Sequence, residues 1–411
     1  MRYNKFENRI EDIDDDVQKI FKAYSEIGKE IYMVGGCIRD AVLGYYCDSG
    51  DIDFCTNALP SDIYRVADII GEKEVAVIPT GERYGTMCLY FHNKEQKYEI
   101  TTYRMDGRYT DKRHPQEVIF GDSLIKDLSR RDFTMNAIAC DSNGNLVDPF
   151  GGLQDIKNGK IRCVDNPSER FEEDAIRILR LIRFALKTGL EIDSDALNAA
   201  LCNATDINKI SKERIGAELR YMKRVVTGKN EDCRNLLKAV FTSLDEVNKD
   251  KIEEVFEWEH SFIAMFAKLF EKPTIGETIK VLNKFAFGNQ IVNDIISVVK
   301  GSKFLYDPLI CGKALSYCNS IVNQYDVVYM TNNEAIRSIL MEYISKDYPV
   351  SISDLRINGD IICEVCKIKP GQKVKEILNY LLDIVIADPT ANTLPNLMNH
   401  AVTYVLCEGI I

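Results

Sequence analysis

Runs rich in β-branched and aromatic residues largely stop near residue 165, and from there to the end helical spacing dominates. That asymmetry sets the architecture. Residues 30–36 (EIYMVGG) read as a strand ending in glycines, 37–44 (CIRDAVLG) as a short helix closed by Gly44, and 51–56 (DIDFCT) as the next strand. Residues 60–71 (PSDIYRVADIIG) combine a Ser cap, apolar residues at helical spacing and a terminal glycine. Residues 74–81, 85–93 and 97–104 are again strand-like. The change falls in KIRCVDNPSE, residues 160–169. The expected class is α+β: an N-terminal mixed-sheet head, then an all-α C-terminal region. We divide it as residues 1–163 (head), 164–230 (helical neck), 231–305 (helical body) and 306–411 (helical tail).

A chain of 411 residues, 45% hydrophobic and 28% charged, has the composition of an ordinary globular protein of two to four domains. It has no apolar run of about 18 residues, so no membrane span is expected. The first twenty residues are polar and acidic, unlike a secretory signal. Thirteen scattered cysteines then suggest reduced thiols in the cytoplasm. Cys363 and Cys366 form a C-x-x-C with no second pair at metal spacing and only four histidines in the chain, which favours a core helix over a zinc site. A net charge of −11 argues against a broad nucleic-acid-coating surface. It leaves room for a local basic groove, and residues 209–229 hold seven Lys/Arg against two Glu.

Within the head, Asp51 and Asp53 lie two residues apart in a strand, so both point to one face while Ile52 and Phe54 point to the other. Adjacent carboxylates repel unless a cation or proton lies between them. Alone, such a pair also fits a solvated strand end; the surroundings decide. Upstream, Gly35 and Gly36 separate a strand from a helix, a place where backbone N–H groups and a helix dipole meet an anion. Arg39, one turn in, adds a charge-assisted donor for phosphate. A phosphate cradle beside paired carboxylates is the layout of a nucleotide–metal site, and all-oxygen ligands suit Mg²⁺. Glu99, on a neighbouring strand, is a third acid, either general base or outer metal partner.

These residues resemble a known family. GGCIRD…GDIDFCT resembles the signature of the nucleotidyltransferase superfamily related to DNA polymerase β. RRDFTMNA (130–137) resembles the second motif of its class II tRNA nucleotidyltransferase and bacterial poly(A) polymerase branch. DPFGG (148–152), EDAIRILR (173–180) and SKERIGAEL (211–219) resemble the third, fourth and fifth, in the family's order. The resemblance implies a polymerase-β-like palm in the head, Asp51 and Asp53 as metal ligands, and Gly36, Arg39 and Arg131 at the nucleotide. It also implies Asp132 as acceptor of the ribose 2′-hydroxyl, with Arg180 and Arg183 near triphosphate and primer. Asp174 and Arg177 are three apart in a helical run, which would set an acceptor beside a fork of donors. Such a pair matches the edges of cytosine and adenine. Guanine and uracil would leave a buried polar group unpaired. Glu173 is placed to hold Arg177.

TYRMDGRYTDKRHPQEVIFG (102–121) resembles the flexible loop of CCA-adding enzymes, with Arg104, Tyr109, Asp111, Arg113 and Pro115 matching. PTGERYGTMCLYF (79–91) resembles their Thr-Gly-x-x-His-Gly-Thr, with Tyr84 at the His position. No His-Asp phosphohydrolase motif is present, so no added phosphatase activity is expected. The implied activity is stepwise addition of C, C and A to the 3′ end of tRNA from CTP and ATP. Alternatives are A-only addition, poly(A) synthesis, transfer to a small molecule, or a catalytically inactive RNA-binding relative. Lys212, Arg214, Arg220, Lys223 and Arg224 are candidates for tRNA contact. The sequence leaves the oligomeric state open.

Overall fold

The structure is a computed structural model, described here for residues 1–5, 7–45, 52–105, 119–222, 230–257, 261–308, 310–318 and 320–408. The chain forms two compact units, Met1–Ile210 with Asn230–Ser243, and Ser211–Lys229 with Leu244–Ile411.

The first unit opens with a hairpin, β1 (Arg2–Asn4) and β2 (Arg9–Glu11), followed by helix α1 (Asp15–Glu26). A mixed seven-stranded sheet follows. Its strands are β3 (Ile31–Val34), β4 (Asp53–Thr56), β5 (Val75–Gly81), β6 (Thr86–Phe91), β7 (Gln96–Thr102), β10 (Ala139–Cys140) and β11 (Leu146–Val147), in the order β11-β10-β3-β4-β7-β6-β5. Two short strands, β8 (Arg104–Met105) and β9 (Ile119–Phe120), pair with each other outside it. From residue 160 on, the only strands among the described residues are β12 (Lys160–Ile161) and, parallel to it, β13 (Glu191–Ile192).

Alternation divides the sheet's residues between two cores. Met33, Phe54, Leu89, Tyr98 and Ile100 pack with Val17, Ile20, Phe21 and Tyr24 of α1 and Ile63 and Val66 of α3 (Pro60–Ile70). Val34, Cys55 and Ala139 join a second cluster with Tyr103, Val164 and Leu124 and Leu128 of α4 (Leu124–Ser129). α3 begins two residues earlier than a Ser61 cap would place it. Pro60 is its first residue, and Asp62, not Ser61, caps it by accepting from the Leu59 N–H at 3.0 Å.

Helices α5 (Gly152–Lys157), α6 (Pro167–Glu173), α7 (Ile176–Thr188), α8 (Ser194–Cys202) and α10 (Glu231–Ser243) complete the first unit. The second holds α9 (Lys212–Tyr221), α11 (Ile252–Glu257), α12 (Phe262–Phe270), α13 (Ile275–Lys284), α14 (Asn289–Ser302), α15 (Ile321–Val328) and α16 (Glu334–Ser345). It ends with α17 (Gly359–Cys366), α18 (Gln372–Ala387) and α19 (Leu394–Cys407). No strand occurs in the second unit among the described residues, in keeping with the all-α expectation. α9 lies so close to the turn after α13 that a Cβ on Gly216 would stand 1.8 Å from the Phe285 carbonyl oxygen. Cys363 and Cys366 are both free thiols on α17, and Cys366 is buried in the core of the last three helices. Among the described residues no helix is long and apolar enough to cross a membrane.

Candidate active site

The site is built around β4, the middle strand of the sheet. Asp53 opens it, opposite Val34 of antiparallel β3 and in register with Glu99 of parallel β7. Both carboxylates are exposed, whereas Ile52, Phe54, Tyr98 and Ile100, on the opposite face, are buried in the α1/α3 core. The alternation expected from the sequence is therefore present for Asp53. Asp51 lies outside the described residues. Registered neighbours on adjacent strands are about 5 Å apart, so Asp53 and Glu99 put oxygen donors on one open patch. Behind Asp53, burial pushes the Cys55 thiol pKa well up, keeping that group neutral. The donor set fits a hard divalent cation.

β3 runs directly into the glycine turn. Gly35 has φ +80° and ψ −129°, a conformation open to glycine and strained for other residues, and α2 (Gly36–Val42) starts behind it. A Cβ at Gly35 would come 3.3 Å from Nη1 of Arg131, so the missing side chain lets this arginine lie over the turn. Arg131 also donates from Nη1 to the Asn136 carbonyl at 3.3 Å and lies 3.5 Å from Asp127.

Arg39, expected as a simple phosphate ligand, is only 4% exposed. Its Nε donates to Asp40 at 2.8 Å, Nη2 lies 2.7 Å from the same carboxylate, and Nη1 donates to Asn136 at 2.7 Å. Each nitrogen is engaged within the protein, which leaves one further N–H on each terminal nitrogen. Asn136 in turn donates to Asp132 Oδ1 at 3.0 Å. Asp132 also accepts from the Phe133 N–H at 2.8 Å and from Arg180 Nε at 2.7 Å. Burial would raise the Asp132 pKa, but Arg180, the Asn136 amide and Arg177 outweigh it and hold the carboxyl down at about 2. It is an anion at any working pH.

The fourth motif corrects the sequence reading. Asp174 and Arg177 do not share a helix. Asp174 stands in extended backbone (φ −151°, ψ 100°) between α6 and α7. Its side chain accepts from the Ile176 N–H at 3.2 Å and its carbonyl from the Arg177 N–H at 3.0 Å. The acid caps the new helix, the role short acceptors prefer, and the helical spacing of neighbouring apolar residues hid the break. Glu173 does hold Arg177: Nη1 donates to Oε2 at 2.8 Å and to the Arg170 carbonyl at 3.2 Å, and Nη2 to the Arg130 carbonyl at 3.0 Å. Arg180 and Arg183, further along α7, flank the buried ring of Phe184.

Sequence reasoning missed three residues of this network. Asn136 links Arg39 to Asp132; it stood inside the quoted RRDFTMNA and was not singled out. Asp127, fully buried, accepts from Nε and Nη2 of Arg130 at 3.0 and 2.7 Å and from the Arg104 N–H at 3.3 Å. Phe184 carries no signal in the sequence that separates it from the other apolar residues of α7. Of the loop expectations, Arg104 donates to Thr86 at 2.6 Å, while Tyr109, Asp111, Arg113 and Pro115 lie outside the described residues. Of the basic candidates, Lys212 pairs with Glu246 at 3.0 Å and Arg220 donates to the Ala286 carbonyl at 2.7 Å. Lys223 and Arg224 lie outside the described residues.

Residues 31–162, which carry the seven-stranded sheet, match the family model described as the Poly A polymerase head domain, a nucleotidyltransferase domain. The CCA-adding enzyme of Limosilactobacillus reuteri (strain DSM 20016) is 30% identical over 395 residues, covering 91% of this chain and 92% of the relative. That of Staphylococcus epidermidis (strain ATCC 12228 / FDA PCI 1200) is 42% identical over 219 residues, 53% of this chain and 51% of the relative. The fold is also that of the Bacillus stearothermophilus CCA-adding enzyme in complex with CTP, with a TM-score of 0.65 and 24% identity over 96% of this chain and 98% of that one. The Thermotoga maritima CCA-adding enzyme complexed with tRNA superposes with a TM-score of 0.70 at 19% identity, over 96% and 97% of the two chains. The chain belongs to the CCA-adding enzyme family of nucleotidyltransferases. Enzymes of this family depend on a divalent metal.

Proposed function

We propose that the protein adds C, C and A to the 3′ end of tRNA without a template, using CTP and ATP and releasing pyrophosphate, in the cytoplasm. The observation that carries this reading is the registered Asp53–Glu99 pair on the open sheet face, one strand from the Gly35 turn. Its support along the chain is the extent of the match to CCA-adding enzymes.

In this reading Asp51 and Asp53 would hold Mg²⁺, with Glu99 in register beside Asp53. Bound there, the cation would neutralise charge on the triphosphate oxygens and at the attacking oxygen. The chain's own residues do the rest. The turn N–H groups after Gly35 and Gly36, with Arg39, Arg131, Arg180 and Arg183, bind and orient the triphosphate. Asp132 accepts from the ribose 2′-hydroxyl; three donors already engage it, and a carboxylate has about four acceptor positions. Arg177, fixed by Glu173 and two carbonyls, reads the base together with Asp174. The 3′-hydroxyl of the RNA attacks the α-phosphate in line, Glu99 is placed to take its proton, and pyrophosphate leaves. The neck, body and tail, residues 164–230, 231–305 and 306–411, act as the base-selecting and tRNA-gripping parts, by shape and phosphate contacts.

The test is an extension assay with Mg²⁺ on three tRNA transcripts, one lacking CCA, one ending in C and one ending in CC. Each is offered CTP, ATP, both, GTP or UTP. Three residues added to the first, and then a stop, is the expected outcome. A single A added only to the CC-ending transcript, a long A ladder, or no product at all would each replace this reading.

A further inference from the structure

Phe184 lies on α7, 4% exposed, with its ring edge-on to Phe133 at 5.8 Å. Three guanidinium carbons surround it: Arg183 at 4.4 Å, Arg39 at 4.8 Å and Arg180 at 5.4 Å from the ring centroid. Arg39 comes from the head helix α2, the other two from α7, so the ring is where cations from distant parts of the sequence converge. Three like charges around one point repel one another. Arg39 is also bonded to Asp40 and Arg180 to Asp132. The element common to all three is the aromatic ring, whose negative faces attract each guanidinium. An aliphatic side chain of similar size would fill the same space and offer no such attraction.

We infer that Phe184 is a positioning residue, which holds Arg39, Arg180 and Arg183 at the mutual spacing that receives the polyphosphate of the incoming nucleotide. This rests on the assignment of those arginines to the triphosphate made above. The ring itself is buried beneath the guanidinium groups and acts through them. Because CTP and ATP share the triphosphate, the effect of Phe184 is blind to the base. That separates it from Arg177 and Glu173, whose loss would alter the choice of base.

The test compares Phe184→Leu, Phe184→Tyr and Arg180→Gln in the full chain, with steady-state kinetics for CTP and ATP and inhibition by inorganic tripolyphosphate. For Phe184→Leu we expect KM for both nucleotides to rise by one common factor, roughly 3- to 30-fold, the range a desolvated cation–π contact supports. The tripolyphosphate inhibition constant should rise in parallel, with kcat and the preference for C and A over U and G retained. Phe184→Tyr, which keeps the ring, should restore wild-type KM. Should Phe184→Leu fail to fold, Phe184→Met takes its place. The inference is overturned if the ringless variant keeps wild-type KM, if Phe184→Tyr is as impaired as Phe184→Leu, or if the defect differs between CTP and ATP. Arg180→Gln separates the two levels. If it leaves both KM values unchanged, the triphosphate assignment itself fails; if it raises them while Phe184→Leu does not, only the positioning role fails.

Discussion

The head and the last three helices bury different materials. In the head, Arg39, Asp127, Asp132, Asn136 and Asp155 are all buried and tied into hydrogen-bond and ion-pair networks. In the last three helices the core is Ile362, Ile377, Leu381, Val385, Leu397, Ala401 and their neighbours, and beyond Thr331 no polar or charged residue is buried among those described. Burying charge carries a desolvation penalty that apolar packing avoids, so an apolar core serves stability at least as well. In the proposed reading, the head keeps its buried charges where arginines and carboxylates would be held ready for an anionic substrate. The apolar core of the C-terminal helices holds the shape of their surface and buries no charge among the described residues.

The sharpest way to break this comparison is Asp53→Ala. Its side chain is exposed, so the unfolding midpoint should stay put while extension of a CC-ending tRNA falls by at least roughly 10³-fold. Retained activity would remove Asp53 from the chemistry. Leu381→Ala is the mirror experiment. Leu381 is fully buried, and its truncation should lower stability by about 2–5 kcal/mol in a denaturant titration, with kcat of the folded enzyme at saturating substrate retained. An equal loss of kcat would mean that the apolar end does more than hold shape.

Gly216→Ala probes close packing in the second unit. The new methyl would collide with the Phe285 carbonyl, and a loss of about 1–3 kcal/mol is expected; a stabilised variant, as helix propensity alone would give, contradicts the packing. An effect of similar size, but confined to acid pH, is expected in the head. Asp132 titrates at about 2 when folded, below the ordinary value near 3.9 in the unfolded chain. Its lowered value therefore contributes stability that is complete above pH ~4 and is lost as pH falls towards ~2, on the order of 2 kcal/mol. Thermal unfolding of the wild type and Asp132→Asn from pH 6 to 2 should show a difference that shrinks below pH ~4. A difference constant across that range would mean that the carboxylate contributes nothing through its charge.

Much of the site was legible because its signals are local. The glycine turn at Gly35, the alternation around Asp53 and the strand carrying Glu99 each depend on a few consecutive residues. Strand and helix spacing likewise announced the mixed-sheet head and the helical remainder. The break at Asp174 was not legible, because an Asp within an apolar-periodic run serves equally as a helix residue or a cap. Nor was the internal engagement of Arg39, since Asn136 lies ninety-seven residues away.

The sequence by itself determined the strands available to the sheet, the glycine turn at Gly35 and the acids that follow it, since period, turn chemistry and charge act over a few residues. Only the tertiary structure decided that Asp53 stands beside Glu99, that Asp132 is held ionised by Arg180, and that three arginines gather on Phe184. Those are contacts between residues far apart in the chain. The first forms only when β4 pairs with β7 and the others only when α7 packs beside Asp132 and α2, and no local rule of spacing contains that information.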